Sequence, residues 1–166
     1  MFDSVKVIEI HSENQAPVTD TVYLTTCRGI VCDGTKILIS HEENVNCYSI
    51  PGGSLEDGET FEDCCVREIG EETGYSVKPT KHFLTIQEYY GNYLLIHRYY
   101  LCEVVGMTQR KPTPSEIERG LVPKWMELED ILAVFARHND WTEMNEQRRG
   151  MYLREYTALM EYASLR

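Results

Sequence analysis

The chain has 166 residues, of which 42% are hydrophobic and 26% charged, and its formal net charge is −11. That length is close to the commonest size of one domain and buries a core without disulfide or metal staples, so a single domain over residues 1–166 is expected. The acid excess repels a long polyanion such as duplex DNA, whose binding rests on Lys and Arg neutralising phosphates, and no apolar run approaches the ~18 residues of a membrane span. Neither long nucleic acid nor a membrane is an expected partner. Met1-Phe2-Asp3-Ser4-Val5-Lys6 lacks a basic segment followed by an apolar one, as a secretion signal would have, so a cytoplasmic protein is expected. The cysteines form no CxxC pair and read as reduced and mostly buried, and the histidines are too scattered for a structural zinc site.

In chain order, Val5 to Ile10 alternates apolar and polar residues as a half-buried strand does, and Val22 to Cys32 is a longer β-rich run. Asp33-Gly34 signals a hairpin turn, with Lys36 to Ser40 as the returning strand. Gly29 and Gly34 do not make a phosphate-binding P-loop, because Thr35-Lys36 reverses the required Lys-Ser/Thr order. Pro51-Gly52-Gly53 and Asp57-Gly58 speak against regular structure, whereas Thr60 with Asp63 offers a helix start and Gly74 a left-handed stop, so a helix over about Thr60 to Thr73 is expected. Val77 to Tyr90 and Tyr93 to Val105 form a second hairpin about Gly91-Asn92. The stretch from Gly106 to Gly120, with Lys111-Pro112-Thr113-Pro114, reads as a long loop of the kind that covers active sites. Val122 to Leu128 is a candidate last strand and Glu129 to Arg137 a short helix. A longer helix follows, with Met144, Met151, Tyr152, Tyr156, Leu159, Met160 and Ala163 on one side, interrupted by Arg148, Arg149 and Glu155, and with Gln147, Arg154 and Glu161 on the other.

The chemistry concentrates between Gly53 and Tyr75. On a helix there, Phe61, Cys65 and Ile69 make an apolar stripe, while Glu68, Glu71 and Glu72 fall within a sector of roughly 100°. Like charges at these spacings repel, and more strongly when partly buried. Arg67 offsets part of that charge by pairing with Glu59 across the loop, and a hard cation with several oxygen ligands suits the cluster better still. Mg²⁺ is the default expectation, and Mn²⁺ fits the same oxygen-rich set.

The full spacing is Gly53, five residues, Glu59, seven residues, Arg67-Glu68-Ile69, one residue, Glu71-Glu72, one residue, Gly74 and Tyr75. Gly53 to Tyr75 resembles the Nudix box of the Nudix, or MutT-like, hydrolases, and Tyr48-Ser49-Ile50-Pro51-Gly52-Gly53 resembles the segment that leads into it. Tyr75 departs from the pattern, which usually has an aliphatic residue there, and is expected to affect packing beyond the helix. Gly70, inside the helix, suggests close approach of another backbone. The resemblance implies an α/β fold, an α/β/α sandwich with a mixed central β-sheet. It implies metal ligation by Glu68, Glu71 and Glu72, joined by the backbone carbonyl of Gly53, and an orienting ion pair of Glu59 with Arg67. It also implies a catalytic base among Glu68, Glu116 and Glu118, and the likeness of Thr113 to Gly120 plus Trp125 to a stretch seen in many Nudix proteins favours Glu118.

The implied activity is metal-dependent cleavage of a pyrophosphate bond in a nucleoside diphosphate linked to another moiety: a nucleotide sugar, ADP-ribose or a dinucleoside polyphosphate. Removal of damaged nucleoside triphosphates is an alternative, and so is a non-catalytic nucleotide sensor on the same fold. The partner is then a small nucleotide derivative, and the substrate-binding residues outside the box are not marked. The apolar surface of the last helix suggests a homodimer.

Overall fold

A computed structural model describes residues 4–12, 16–141 and 145–166. Strand β1 (Lys6–His11) opens the chain, and β2 (Val22–Asp33) and β3 (Lys36–Glu42) form the expected hairpin. Gly34, at φ +63, makes the reversal between paired residues Asp33 and Lys36, where a Cβ would be strained. Two short strands, β4 (Cys47–Ser49) and β5 (Gly52–Ser54), precede helix α1 (Phe61–Thr73). The long hairpin β6 (Tyr75–Tyr90) and β7 (Tyr93–Met107) is followed by helix α2 (Pro114–Arg119), β8 (Leu121–Glu127), α3 (Leu128–Ala136), a 3-10 turn at His138–Trp141 and α4 (Glu146–Ser164).

The strands run in the order β1-β6-β7-β2-β3-β4, with β5 also on β2 and β8 on β3. β1 with β6 and β2 with β7 are parallel, whereas β6 with β7 and the β3 pairs are antiparallel, so the sheet is mixed as expected. Strand alternation sends neighbouring residues to opposite faces. Val31, Leu38 and Tyr100 join Cys64, Cys65 and Ile69 of α1 in one core, while Ile30, Ile37, Ile39 and Tyr99 join Ile131, Phe135, Tyr152 and Leu159 of α3 and α4 in another. Helices therefore cover both sides of the sheet, which is the α/β/α sandwich. All six cysteines are unpaired, and every one but Cys32 is buried.

Three expectations change. Gly52 to Ser54 does form a strand, because Gly52 and Gly53 let the backbone lie against β2, where a Cβ on Gly52 would stand 2.3 Å from the Cys27 carbonyl oxygen. The segment read as a continuous loop contains α2, which is closed by a capping box between Thr113 and Glu116 with Pro114 in the first turn and Gly120 at the C-terminal cap. On α4, Arg154 and Glu155 are buried and Met160 is exposed. The inward side is set by Tyr152, Glu155, Ala158, Leu159 and Tyr162, because partners on the sheet neutralise the two charges. Met144 lies outside the described residues.

Candidate active site

Helix α1 is delimited as its sequence requires. The Thr60 side chain accepts a hydrogen bond from the Asp63 amide at 3.1 Å, and Gly74 ends the helix at φ 78. Its last carbonyls are taken up by the strand-to-helix segment that follows β7. The Lys111 amide donates to the Glu71 carbonyl at 2.8 Å, and Arg110 Nε to the Glu72 carbonyl at 2.9 Å. Cys64, Cys65 and Ile69 are buried against the sheet, while the exposed Phe61 carries the Arg98 guanidinium 3.8 Å from its ring centre. Gly70 is explained by the Thr108 side chain rather than by another backbone, since a Cβ there would meet the Thr108 methyl at 3.0 Å. Tyr75 packs edge-on to Trp125 and accepts its indole N–H at 2.9 Å, which confirms its packing role.

The buried face of α1 leaves Glu68, Glu71 and Glu72 towards β5 and the start of the helix. Arg67 is the clamp: Nε and Nη2 donate to the two Glu59 carboxylate oxygens at 2.6 and 3.1 Å, and Nη2 also reaches the Ser54 carbonyl at 3.0 Å. This bidentate pair holds the Glu59 carboxyl below its ordinary range. Through Nη1 the same guanidinium reaches Glu68 at 2.9 Å and Glu71 at 3.4 Å. The Glu68 carboxyl sits directly on Gly53, where an added Cβ would lie 2.4 Å from it. Only glycine leaves that space. Burial pushes the Glu68 carboxyl above its ordinary range, against the pull of Arg67, and the charges of Glu71 and Glu116 push it the same way.

Glu72 is the most perturbed of the three. Its Oε2 accepts from Ser40 Oγ at 2.9 Å and from the Gly52 amide at 3.3 Å. Desolvation still pushes its pKa up to about 8, with Arg28 pulling it down and Glu116 and Glu68 adding to the rise. The segment just before Gly52 is fixed from both sides: the Ile50 amide donates to Glu155 of α4 at 2.5 Å, and the Ile50 carbonyl accepts from Arg28 Nη1 at 3.0 Å.

The three glutamates do not converge on one point. Among the described residues, no group of three or more His, Cys, Asp or Glu side chains is arranged to hold a metal ion, because Arg67 draws Glu68 and Glu71 to itself while Ser40 and Gly52 hold Glu72. The donor set nevertheless fits a hard divalent cation. It is all oxygen, two of its carboxylates carry desolvation that a cation would offset, and Gly53 brings a backbone carbonyl against Glu68. Of the two acids on α2, Glu116 is the one whose charge raises Glu68 and Glu72, although its side chain also accepts the Thr113 amide. Glu118 is exposed, and its backbone carbonyl accepts from Asn44. Ser40 and Arg28 carried no mark in the sequence, since they reach the site from β3 and β2.

With that geometry in view, the comparisons with known proteins are decisive for family. The NUDIX domain family model matches residues 23–147. This chain belongs to the Nudix family. An ADP-ribose pyrophosphatase of Methanocaldococcus jannaschii is 47% identical over 49 residues, 28% of this chain and 29% of that protein. A CMP-5'-(N-acetyl-N-hydroxy-3-aminopropyl)phosphonate hydrolase of Streptomyces rubellomurinus is 30% identical over 83 residues, 50% of this chain and 39% of that protein. The chain thus spans well under half the length of the curated relatives it matches. Among solved structures, a NUDIX hydrolase from Nitrosomonas europaea superposes with a TM-score of 0.65 at 19% identity, covering 85% of this chain and 88% of that one. At that identity the likeness shows the Nudix fold alone.

Proposed function

We propose that this chain is a single-domain pyrophosphohydrolase that cleaves a phosphoanhydride bond in a nucleoside diphosphate linked to another moiety, by attack of water on phosphorus. The observation that carries the reading is the Glu59–Arg67–Glu68 clamp seated on Gly53, with the desolvated Glu72 beside it. The matched relatives named for ADP-ribose and for a CMP-linked phosphonate support a small nucleotide derivative as substrate. Glu68, Glu71, Glu72 and the Gly53 carbonyl would hold Mg²⁺ or Mn²⁺, which when bound neutralises pyrophosphate oxygens and acidifies the attacking water.

The chain's own groups do the rest. Arg67 fixes Glu68 and Glu59 relative to one another, so the base is oriented before substrate arrives. Glu68, whose carboxyl burial makes more basic, accepts the proton of the attacking water. The new P–O bond forms as the bridging P–O bond breaks, and the leaving phosphate departs with the electron pair. Glu116 assists through its charge, which keeps the Glu68 carboxyl basic, and Glu118 is the less suitable α2 acid. The reading includes a homodimer, supported by the outer edge of β1, which ends the sheet. Six free cysteines suit a reducing compartment such as the cytoplasm.

The test is turnover of a panel of nucleoside diphosphate derivatives in ¹⁸O-labelled water with Mg²⁺ or Mn²⁺. Label in a phosphate product is expected, and label only on carbon would overturn the mechanism. For Glu72→Gln, kcat should fall by on the order of 10²-fold or more with the fold retained. Unchanged turnover would overturn the site.

A further inference from the structure

On the α4 side of the sheet, a cavity of about 590 Å³ is bounded by Tyr23, Tyr90 and Tyr93 and by Arg28, Glu88 and Arg154. The Tyr23 and Tyr93 rings stand 5.2 Å apart, tilted by 42°, and are 66% and 46% exposed. Large aromatic faces left open at a cavity mouth are stacking surfaces for a flat ring. The charged groups are of another kind. Arg154 and Glu88 are buried, and Arg28 Nε is buried without a hydrogen-bond partner among the described residues. An N–H in that state is a donor awaiting an acceptor.

The acceptors already present are spoken for. Glu88 Oε1 receives His97 Nε2 at 2.8 Å and Arg154 Nη1 at 3.3 Å, and Glu88 Oε2 receives Ser12 Oγ at 2.7 Å. A ligand ring therefore meets donors at this end and must bring acceptors. Arg28 also connects the cavity to the hydrolytic site, because its Nη1 holds the Ile50 carbonyl, its backbone pairs with Gly52, and its charge acts on Glu72.

We propose that this cavity binds the nucleobase of the substrate, stacked on Tyr23 and Tyr93, and that Arg28 selects bases with a ring carbonyl, such as uracil or guanine, over adenine. The proposal rests on the hydrolase reading above for the identity of the ligand as a nucleotide. A ring carbonyl accepts from Arg28 Nε, whereas the amino edge of adenine sets donor against donor. Arg28 then sits between base and phosphates, so base recognition and placement of the anhydride over Glu68 and Glu72 depend on one side chain.

The test is equilibrium binding of UMP, GMP and AMP to the full chain in EDTA, followed by calorimetry. UMP and GMP should bind at least about fivefold more tightly than AMP, as expected when a hydrogen-bonding site is left unmatched by the wrong ring. The Tyr23→Ala, Tyr93→Ala double variant should weaken UMP and GMP by about tenfold or more, through loss of stacking, with unchanged circular dichroism. Arg28→Met should abolish the preference. AMP binding as tightly as UMP and GMP, no binding of any of the three, or a double tyrosine variant that binds like the wild type would each overturn the proposal. Turnover with Mg²⁺ is measured in parallel: absent turnover with the base preference intact would strike the hydrolase reading alone, while normal turnover with no base preference would strike this cavity alone.

Discussion

Glu72 gathers the site's electrostatic strain into one carboxyl. In the unfolded chain it titrates near an ordinary glutamate, whereas in the metal-free fold desolvation carries it to about 8. The folded state thus binds the extra proton between these values, and stability conferred by the protonated form is complete below the lower one and is lost as pH rises through about 8. Metal-free protein is therefore expected to lose urea resistance between about pH 5 and 8, and Glu72→Gln to flatten that dependence; identical profiles for the two proteins would refute the burial account. Mg²⁺ should restore resistance at pH 8, because a cation stabilises the ionised carboxylate. The spacing of Glu68, Glu71 and Glu72 was legible in the sequence because helical periodicity is local. The partners that set Glu72 apart were not, since Ser40 and Gly52 come from different strands and only the folded sheet brings them to one oxygen atom.

Among the elements, α4 shows most clearly how tertiary partners override a local pattern. A helix reading assigned Arg154 outward and treated Glu155 as an interruption, yet both are buried. Arg154 Nε donates to Glu155 at 3.0 Å, Tyr99 Oη donates to the other side of the same carboxylate at 2.7 Å, and Arg154 also reaches Glu88. Arg154 and Tyr99 keep Glu155 ionised against its burial, and burial together with the Arg154 charge lowers His97 to about 4. Breaking such a pair from one side strands a charge, so Glu155→Ala should cost about 3 kcal/mol or more in urea denaturation. A loss of under about 1 kcal/mol would show that solvent replaces the pair. Elements with local signals were readable: both hairpins, α1 with its caps, and the last strand. The α2 helix was also marked, by Thr113-Pro114-Ser115-Glu116, but two prolines made the segment read as loop. The β5 strand carried no such mark, because its pairing depends on contact with β2.

For the molecule as a whole, strand alternation and the box together made the layered fold legible, while the assembly was not, because an interface has no period of its own. A homodimer joined along β1 should show twice the 19.3 kDa chain mass in light scattering at micromolar concentration, as expected of a stable interface. A monomeric mass across that range would exclude it. The link between Ile50 and Glu155 has a consequence in time. The two residues are separated by 105 positions, and at roughly 5–20 residues per second a ribosome takes on the order of 5–20 s to pass from one to the other. Throughout that interval the box has been synthesised but its lead-in has no anchor. A nascent or stalled chain that stops short of α4 carries every acidic residue of the site and still lacks the hydrogen bond that seats Ile50, so competence arrives late in synthesis rather than with the box.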